Sequence, residues 1–275
     1  MIKQIFLYRF FRIINNNLIL LIGIQTRISY DKLNLLLDSN EEKRMFQLQN
    51  VVPWGRSFQD YIEMFNLTSA DLKSSILDCA GGPASFNAVM KQQGKTVISC
   101  DPIYQFTSEQ IQQRIDQTYP IIIDGLYKNI DQFVWKKNPT PEALGADRLS
   151  AMNTFLEDFA AGKTEGRYRD VGFPELPFAD QTFDLAISSH LLFTYSEQFS
   201  WEFHWQSILD LCRVAKEVRI FPLVENFTSD QSRHLESILK ELSAQGYETE
   251  IEKTVYEFQR GGNQLLKVRQ RKPPL

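Results

Sequence analysis

Residues 74–102, SSILDCAGGPASFNAVMKQQGKTVISCDP, hold two acids and two adjacent glycines at a spacing that suits a ligand site. A helix that opens just after a glycine turn presents free N–H groups and a partial positive charge, which attract a phosphate or a carboxylate. A phosphate loop would need GxxxxGK[ST], and the turn has no such lysine. A dinucleotide turn would need GxGxxG with N–H groups crowded on a pyrophosphate, but Pro83 removes one donor and only Gly81 and Gly82 are glycine. A ligand without phosphates suits this turn better. Gly81 and Gly82 permit positive φ and close backbone approach, and the flanking Ala80 and Ala84 are small. Asp101 follows Gly82 by nineteen residues, a spacing at which a carboxylate can accept hydrogen bonds from both hydroxyls of a ribose.

The elements that must hold these residues alternate in type. Residues 58–65 carry an apolar stripe and read as a helix. Residues 74–80 and 95–101 read as strands either side of a helix that stops at Gly94. The stretch 105–166 is long, polar and helical. Its last helix begins with Pro141 and is expected to end at Gly162. Residues 183–189 form a strand, 197–215 a helix and 217–223 a strand. A helix over 229–246 is expected to start from Ser229 or Asp230 as N-cap and to stop at Gly246. Residues 247–258 and 263–270 are strands around QRGG, a hairpin signal. Such alternation predicts an α/β fold: a mostly parallel seven-stranded sheet with helices on both faces, a C-terminal antiparallel hairpin, and a helical insertion after the second strand. Ligands of open sheets bind beyond the carboxyl ends of the strands where strand order reverses, which is where the glycine turn belongs.

Composition narrows the function. The chain has 275 residues, 43% hydrophobic and 23% charged, with a formal charge of −4, and it carries no long Lys/Arg block, so nucleic acid is not the expected partner. Cys79, Cys100 and Cys212 show no CxxC spacing and read as reduced core residues of a cytoplasmic protein. His190, His204 and His234 form no metal-ligand pattern. Residues 1–30 carry four basic residues and no acid, leaving 26 basic against 34 acidic residues in the remainder. The apolar run LILLIGI (18–24) is shorter than the roughly 20 residues of a spanning helix and lacks a small-residue cleavage site. A packed amphipathic helix, a membrane-surface segment and an N-terminal extension all suit it. The division expected is an extension over 1–50 and one domain over 51–275, with the insertion near 105–166.

Ile76-Leu77-Asp78-Cys79-Ala80-Gly81-Gly82-Pro83-Ala84 resembles the first motif of the class I S-adenosylmethionine-dependent methyltransferases, with Ala80 and Ala84 in place of the outer glycines. Asp101 matches that family's ribose-binding acid. LPFADQTFDLAISSHLLF (176–193) looks like its fourth motif, and the closing hairpin fits its last strand. The resemblance covers about residues 74–270 and is least typical over 105–166. It implies S-adenosyl-L-methionine as cofactor, with Asp78, Ala80, Gly81, Gly82, Pro83, Asp101, Pro102, Ser188, Ser189 and His190 around it. It also implies in-line attack of an acceptor atom on the sulfonium methyl group. His190 then lies where a general base could act, or where it only hydrogen-bonds the turn or the cofactor. In that reading Asp78 organises the glycine turn; otherwise it only caps neighbouring N–H groups. The acid that often meets adenine is missing: Gly172 stands there, with Asp170 two residues away. Tyr104, Tyr195 and Arg56 are further pocket candidates, and residues 53–61 could form a lid in which Arg56 meets an anion. The aromatic residues Tyr104, Phe106, Tyr119, Tyr127, Phe133 and Trp135 could line a substrate cavity or pack the insertion. A small molecule is the expected methyl acceptor. A non-catalytic binding protein of the same fold and an NAD-dependent oxidoreductase are the alternatives.

Overall fold

The computed structural model describes residues 52–226, 228 and 230–271. The expectations for residues 1–51 and for Ser229 fall outside the described residues. Elements run α1 (Phe58–Met64), β1 (Ile76–Cys79), α2 (Phe86–Gln92), β2 (Val97–Cys100), α3 (Ser108–Lys128), α4 (Pro141–Thr164), β3 (Tyr168–Arg169), β4 (Phe183–Ser189), α5 (Trp201–Val214), β5 (Ala215–Phe221), α6 (Leu235–Ala244), β6 (Tyr247–Lys253) and β7 (Gln264–Gln270). Short 3-10 turns interrupt them. The strands form one seven-stranded sheet in the order β3-β2-β1-β4-β5-β7-β6. Pairs among the first five strands are parallel, and β7 runs antiparallel to both β5 and β6. This is the Rossmann-like sheet with a closing antiparallel hairpin that the alternation of elements implies. All four residues of β1 are buried, as a central parallel strand covered on both faces must be.

The helices seal the two faces separately. On one face Leu77, Ala186, Val218 and Ile220 meet Ile208 and Leu211 of α5 and Ile238 and Leu242 of α6. On the other, Ile76, Val97, Leu185 and Ile187 meet Tyr61 and Met64 of α1 and Phe86 and Met90 of α2. The inserted helices α3 and α4 build a third core around Tyr104, Phe106, Ile111, Phe155, Phe159 and Tyr168. Of the insertion's aromatic residues, Tyr104, Phe106 and Phe133 therefore pack, whereas Tyr127 is half exposed. Among the described residues no helix is long and apolar enough to cross a membrane.

Several boundaries differ from expectation; β5, expected over 217–223, spans Ala215–Phe221. Helix α4 runs through Gly162 to Thr164, because Gly162 is needed for close packing: a β-carbon there would lie 2.5 Å from the Tyr168 ring. The left-handed stop is Gly166, at φ +77°. Helix α6 opens at Leu235 rather than after Ser229 or Asp230. The Glu225 carboxylate instead accepts the Arg233 backbone N–H at 2.9 Å and its guanidinium at 2.7 and 2.8 Å, fixing the preceding chain as a turn. Helix α5 starts at Trp201, because the Ser200 hydroxyl caps it by accepting the Phe203 N–H. Strand β6 ends at Lys253. The following loop leaves the sheet for the insertion, where Val134 N–H donates to the Phe258 carbonyl at 2.7 Å and Arg260 N–H to the Gln132 carbonyl at 3.0 Å.

Candidate active site

The glycine turn leaves β1 at the carboxyl edge of the sheet, between β2 and β4, where strand order reverses. Ala80 and Gly82 both take left-handed backbone angles, φ +58° and +53°. Ala80 therefore occupies a conformation that glycine accepts more easily, at a cost of about 1 kcal/mol. Its N–H is satisfied by the Cys100 carbonyl at 2.8 Å. The two glycines answer different demands. A β-carbon on Gly81 would lie 2.4 Å from Asp78 Oδ2, so Gly81 is small for what lies beneath the turn. One on Gly82 would meet nothing nearer than Asp101 Oδ2 at 4.0 Å, so Gly82 faces open space. Ala84 is buried in the core and does not narrow that space.

Asp78 and Asp101 hold the turn from two sides. Asp78 is buried on β1 and accepts from Ser99 Oγ at 3.0 Å and from the Tyr61 hydroxyl at 3.3 Å. Burial pushes its carboxyl up to about 7, against the lowering effect of those two donors, and the Asp101 charge adds to the rise. Asp101 ends β2. Its Oδ2 accepts the Gly82 N–H at 3.0 Å and its Oδ1 the Ile103 N–H at 2.8 Å. Burial raises its carboxyl to about 6, the two backbone donors opposing. A carboxylate has about four lone-pair sites, so each oxygen keeps one for a ligand hydroxyl. The Tyr104 hydroxyl donates to the Gly82 carbonyl at 2.8 Å and closes the same loop from the insertion side. Pro102 packs where Gly172 passes: a β-carbon there would lie 2.9 Å from Pro102 Cγ. Asp170 is exposed.

The end of β4 supplies the third wall. Ser188 Oγ is buried with no hydrogen-bond partner, and so is His190 Nδ1. Ser189 is buried on the opposite face of the strand. His190 adopts φ +55°, its N–H donating to the Phe221 carbonyl at 2.7 Å, so the turn after β4 is fixed by β5. Burial drives the imidazole well below its ordinary value, and the Arg56 and Arg148 charges push the same way. His190 is therefore neutral near pH 7.

Sequence reasoning offered residues 53–61 as a lid but missed what holds this roof in place. Residues 53–57 lie directly on the glycine turn: Ser85 N–H donates to the Arg56 carbonyl at 3.0 Å, Phe58 N–H to Ser85 Oγ at 3.0 Å, and a β-carbon on Gly55 would lie 2.0 Å from the Pro83 carbonyl oxygen. Asp60, fully buried on α1, binds Arg148 of α4 and, at 2.6 Å, Lys137. Arg148 Nη2 donates to the Tyr256 hydroxyl at 2.9 Å, tying in the hairpin loop. The available signal was Asp60 in SFQD, a capping-box acid whose partner Ser57 is three residues earlier. The capping box accounts for two reciprocal hydrogen bonds and conceals the ion pair. Among the described residues no three His, Cys, Asp or Glu side chains converge to hold a metal.

Comparison with known proteins gives the following. No family model matches the chain. The uncharacterized protein MJ0045 of Methanocaldococcus jannaschii is 34% identical over 229 residues, which are 82% of this chain and 99% of that protein. The magnesium protoporphyrin IX methyltransferase of Synechocystis PCC 6803, solved with bound SAM, is 12% identical with a TM-score of 0.39, covering 90% of this chain and 100% of that one. A putative S-adenosyl-L-methionine-dependent methyltransferase from Methanococcus maripaludis is 11% identical with a TM-score of 0.42, covering 92% and 100%.

Proposed function

Starting from a chain that belongs to the family of the Methanocaldococcus jannaschii protein MJ0045, we propose that it is an S-adenosylmethionine-dependent methyltransferase acting on a small molecule. One observation carries the reading. Gly82, left-handed and facing open space, is held by the carboxylate of Asp101 at the switch point of the sheet. The donor set fits the cofactor. Asp101 has lone pairs for two ribose hydroxyls, and Ser188 Oγ and His190 Nδ1 are buried polar atoms still lacking partners. Nothing in the turn calls for a phosphate.

The bound cofactor supplies a methyl group on a sulfonium, open to in-line attack. The residues do the rest. Asp101 orients the ribose while its bond to Gly82 keeps the turn in register. Asp78, beneath Gly81, fixes the turn through Ser99 and Tyr61 and does not itself reach the ligand. The loop 53–57 and α4 exclude water from above. Alignment of this kind can account for several kcal/mol of rate acceleration. His190, neutral at its unpartnered Nδ1, is placed to take the acceptor's proton.

The test is Asp101→Ala. It removes an acceptor shared by two ribose hydroxyls, each hydrogen bond to a charged group contributing about 1.5 kcal/mol or more. Affinity for S-adenosylhomocysteine should fall about 100-fold in titration calorimetry while far-ultraviolet circular dichroism stays unchanged. An unaltered affinity would remove Asp101 from the ribose site.

A further inference from the structure

Arg56 is a partly buried cation with no carboxylate paired to it. Its Nη1 donates to the Trp54 carbonyl at 2.8 Å, its Nε is sealed from solvent without a partner, and no carboxylate among the described residues lies within ion-pair distance of it. The network beside it is already balanced: Asp60 and Asp147 face Lys137 and Arg148. Arg56 is thus the surplus charge of the roof. A guanidinium does not shed its proton to escape burial, so the free protein keeps an unpaired cation against the glycine turn.

The surroundings of Arg56 show which way it faces. It sits beside the Tyr256 hydroxyl, with Arg148 and Asp60 as charged neighbours, and the Tyr256 ring lies 5.7 Å from that of Phe221, which lies 5.6 Å from the His190 ring after β4. Arg56 therefore lies on the side of the roof that adjoins the end of β4. The Tyr256 hydroxyl already accepts from Arg148, which leaves its own proton free to donate.

We infer that Arg56, with the Tyr256 hydroxyl, receives a carboxylate carried by the methyl acceptor, which makes the substrate a small carboxylic acid. The inference rests on the methyltransferase reading of the same site. A planar guanidinium fork matches a carboxylate with two parallel hydrogen bonds. One surplus positive charge balances a monoanion and under-compensates a phosphate dianion. Trp54, Phe221 and Tyr195 make the neighbourhood aromatic. The bound anion has a second effect: by neutralising Arg56 it relieves one of the two charges, Arg56 and Arg148, that join burial in opposing protonation of His190. Substrate binding would then ready the base.

The test uses the full chain labelled with 15N-arginine and 15N-histidine, with benzoate and inorganic phosphate as probes, in the absence and presence of saturating S-adenosylhomocysteine. The Arg56 Nε–H resonance is identified by its loss in Arg56→Gln. The inference expects benzoate to shift that resonance in both conditions and phosphate to bind more weakly. It expects Arg56→Gln to weaken benzoate at least tenfold while changing S-adenosylhomocysteine affinity less than twofold, with Arg56→Lys in between. Benzoate should also raise the pH at which His190 titrates in the wild type and not in Arg56→Gln. Circular dichroism checks that both variants fold. An Arg56 resonance indifferent to benzoate overturns the inference, and so does tighter binding of phosphate. If Arg56→Gln weakens S-adenosylhomocysteine tenfold and that ligand displaces benzoate, the carboxylate is the cofactor's own and the substrate class falls. Benzoate binding at Arg56 in a protein that binds no S-adenosylhomocysteine would keep the anion site and refute the methyltransferase reading.

Discussion

Asp60→Asn is the substitution whose effect follows most directly from the structure. Asp60 is fully buried and faces two cations, Arg148 and Lys137, the first also buried. Burial alone would raise its carboxyl, yet the Arg148 charge and the Lys137 hydrogen bond hold it at about 2. The gap from the ordinary 3.8 corresponds to about 2.5 kcal/mol of stability at neutral pH. Because the folded carboxyl is the stronger acid, that contribution is present above about pH 4 and is lost as pH falls through about 2. The asparagine keeps the shape and the helix cap but strands Arg148 inside the roof, so the expected cost is about 3–5 kcal/mol. That would lower Tm by about 10 °C for a chain of this size. Urea unfolding of the wild type, Asp60→Asn, Arg148→Met and the double variant at pH 7 measures it. The double variant should recover part of the loss, since replacing both charges removes the stranded one. A single-variant cost under about 1 kcal/mol with additive effects would mean that the pair does not hold α1 to α4, and the account of the roof would fail.

Asp78, with its carboxyl raised to about 7, should make the fold less stable as pH rises from about 4 to 7, because the unfolded chain gives up that proton first. Urea midpoints at pH 5 and pH 8 should differ by less in Asp78→Asn than in the wild type; an equal difference would assign the effect elsewhere. Gly81→Ala should destabilise more than Gly82→Ala, by about 1 kcal/mol or more, because it adds a steric clash with the Asp78 carboxylate where Gly82→Ala adds only backbone strain. Thermal unfolding of the two variants side by side decides it, and the reverse order would contradict the two roles given to these glycines. Gly55→Ala should lift the 53–57 loop off the turn and expose the Ala84 and Ser85 amides to hydrogen exchange; unchanged protection would show that the contact with Pro83 is not what holds the loop.

The glycine turn, the ribose-spaced acid and the order of elements were legible because each is local. A four-residue apolar run between turn signals, a capping serine or a terminal glycine acts within a few positions of itself. The helix over 85–94 and the strand over 183–189 accordingly emerge close to where the pattern placed them. Local signals misled where tertiary contacts competed. Gly162 looks like a stop, but it serves the packing of Tyr168, and Gly166 ends the helix. Ser229 and Asp230 look like caps, but the grip of Glu225 on Arg233 delays the helix to Leu235. The lid over 53–61 was legible as a possibility, but the network that anchors it was not. Arg148 stands 88 residues from Asp60 and 108 from Tyr256, and no periodicity joins positions so far apart. The unpaired state of Arg56 is likewise a property of its three-dimensional surroundings.

The measurement closest to the central claim is calorimetric titration of the wild-type protein with S-adenosylmethionine, S-adenosylhomocysteine and NAD. The account predicts saturable one-to-one binding of both adenosyl ligands and none of NAD. At about 100 times the dissociation constant, either adenosyl ligand should add about 2.7 kcal/mol to the stability against unfolding. Binding of NAD alone would make the protein a nicotinamide-dependent enzyme despite its glycine spacing. Binding of none of the three would mean that the Gly82–Asp101 turn keeps the fold without a cofactor, and it would contradict the account.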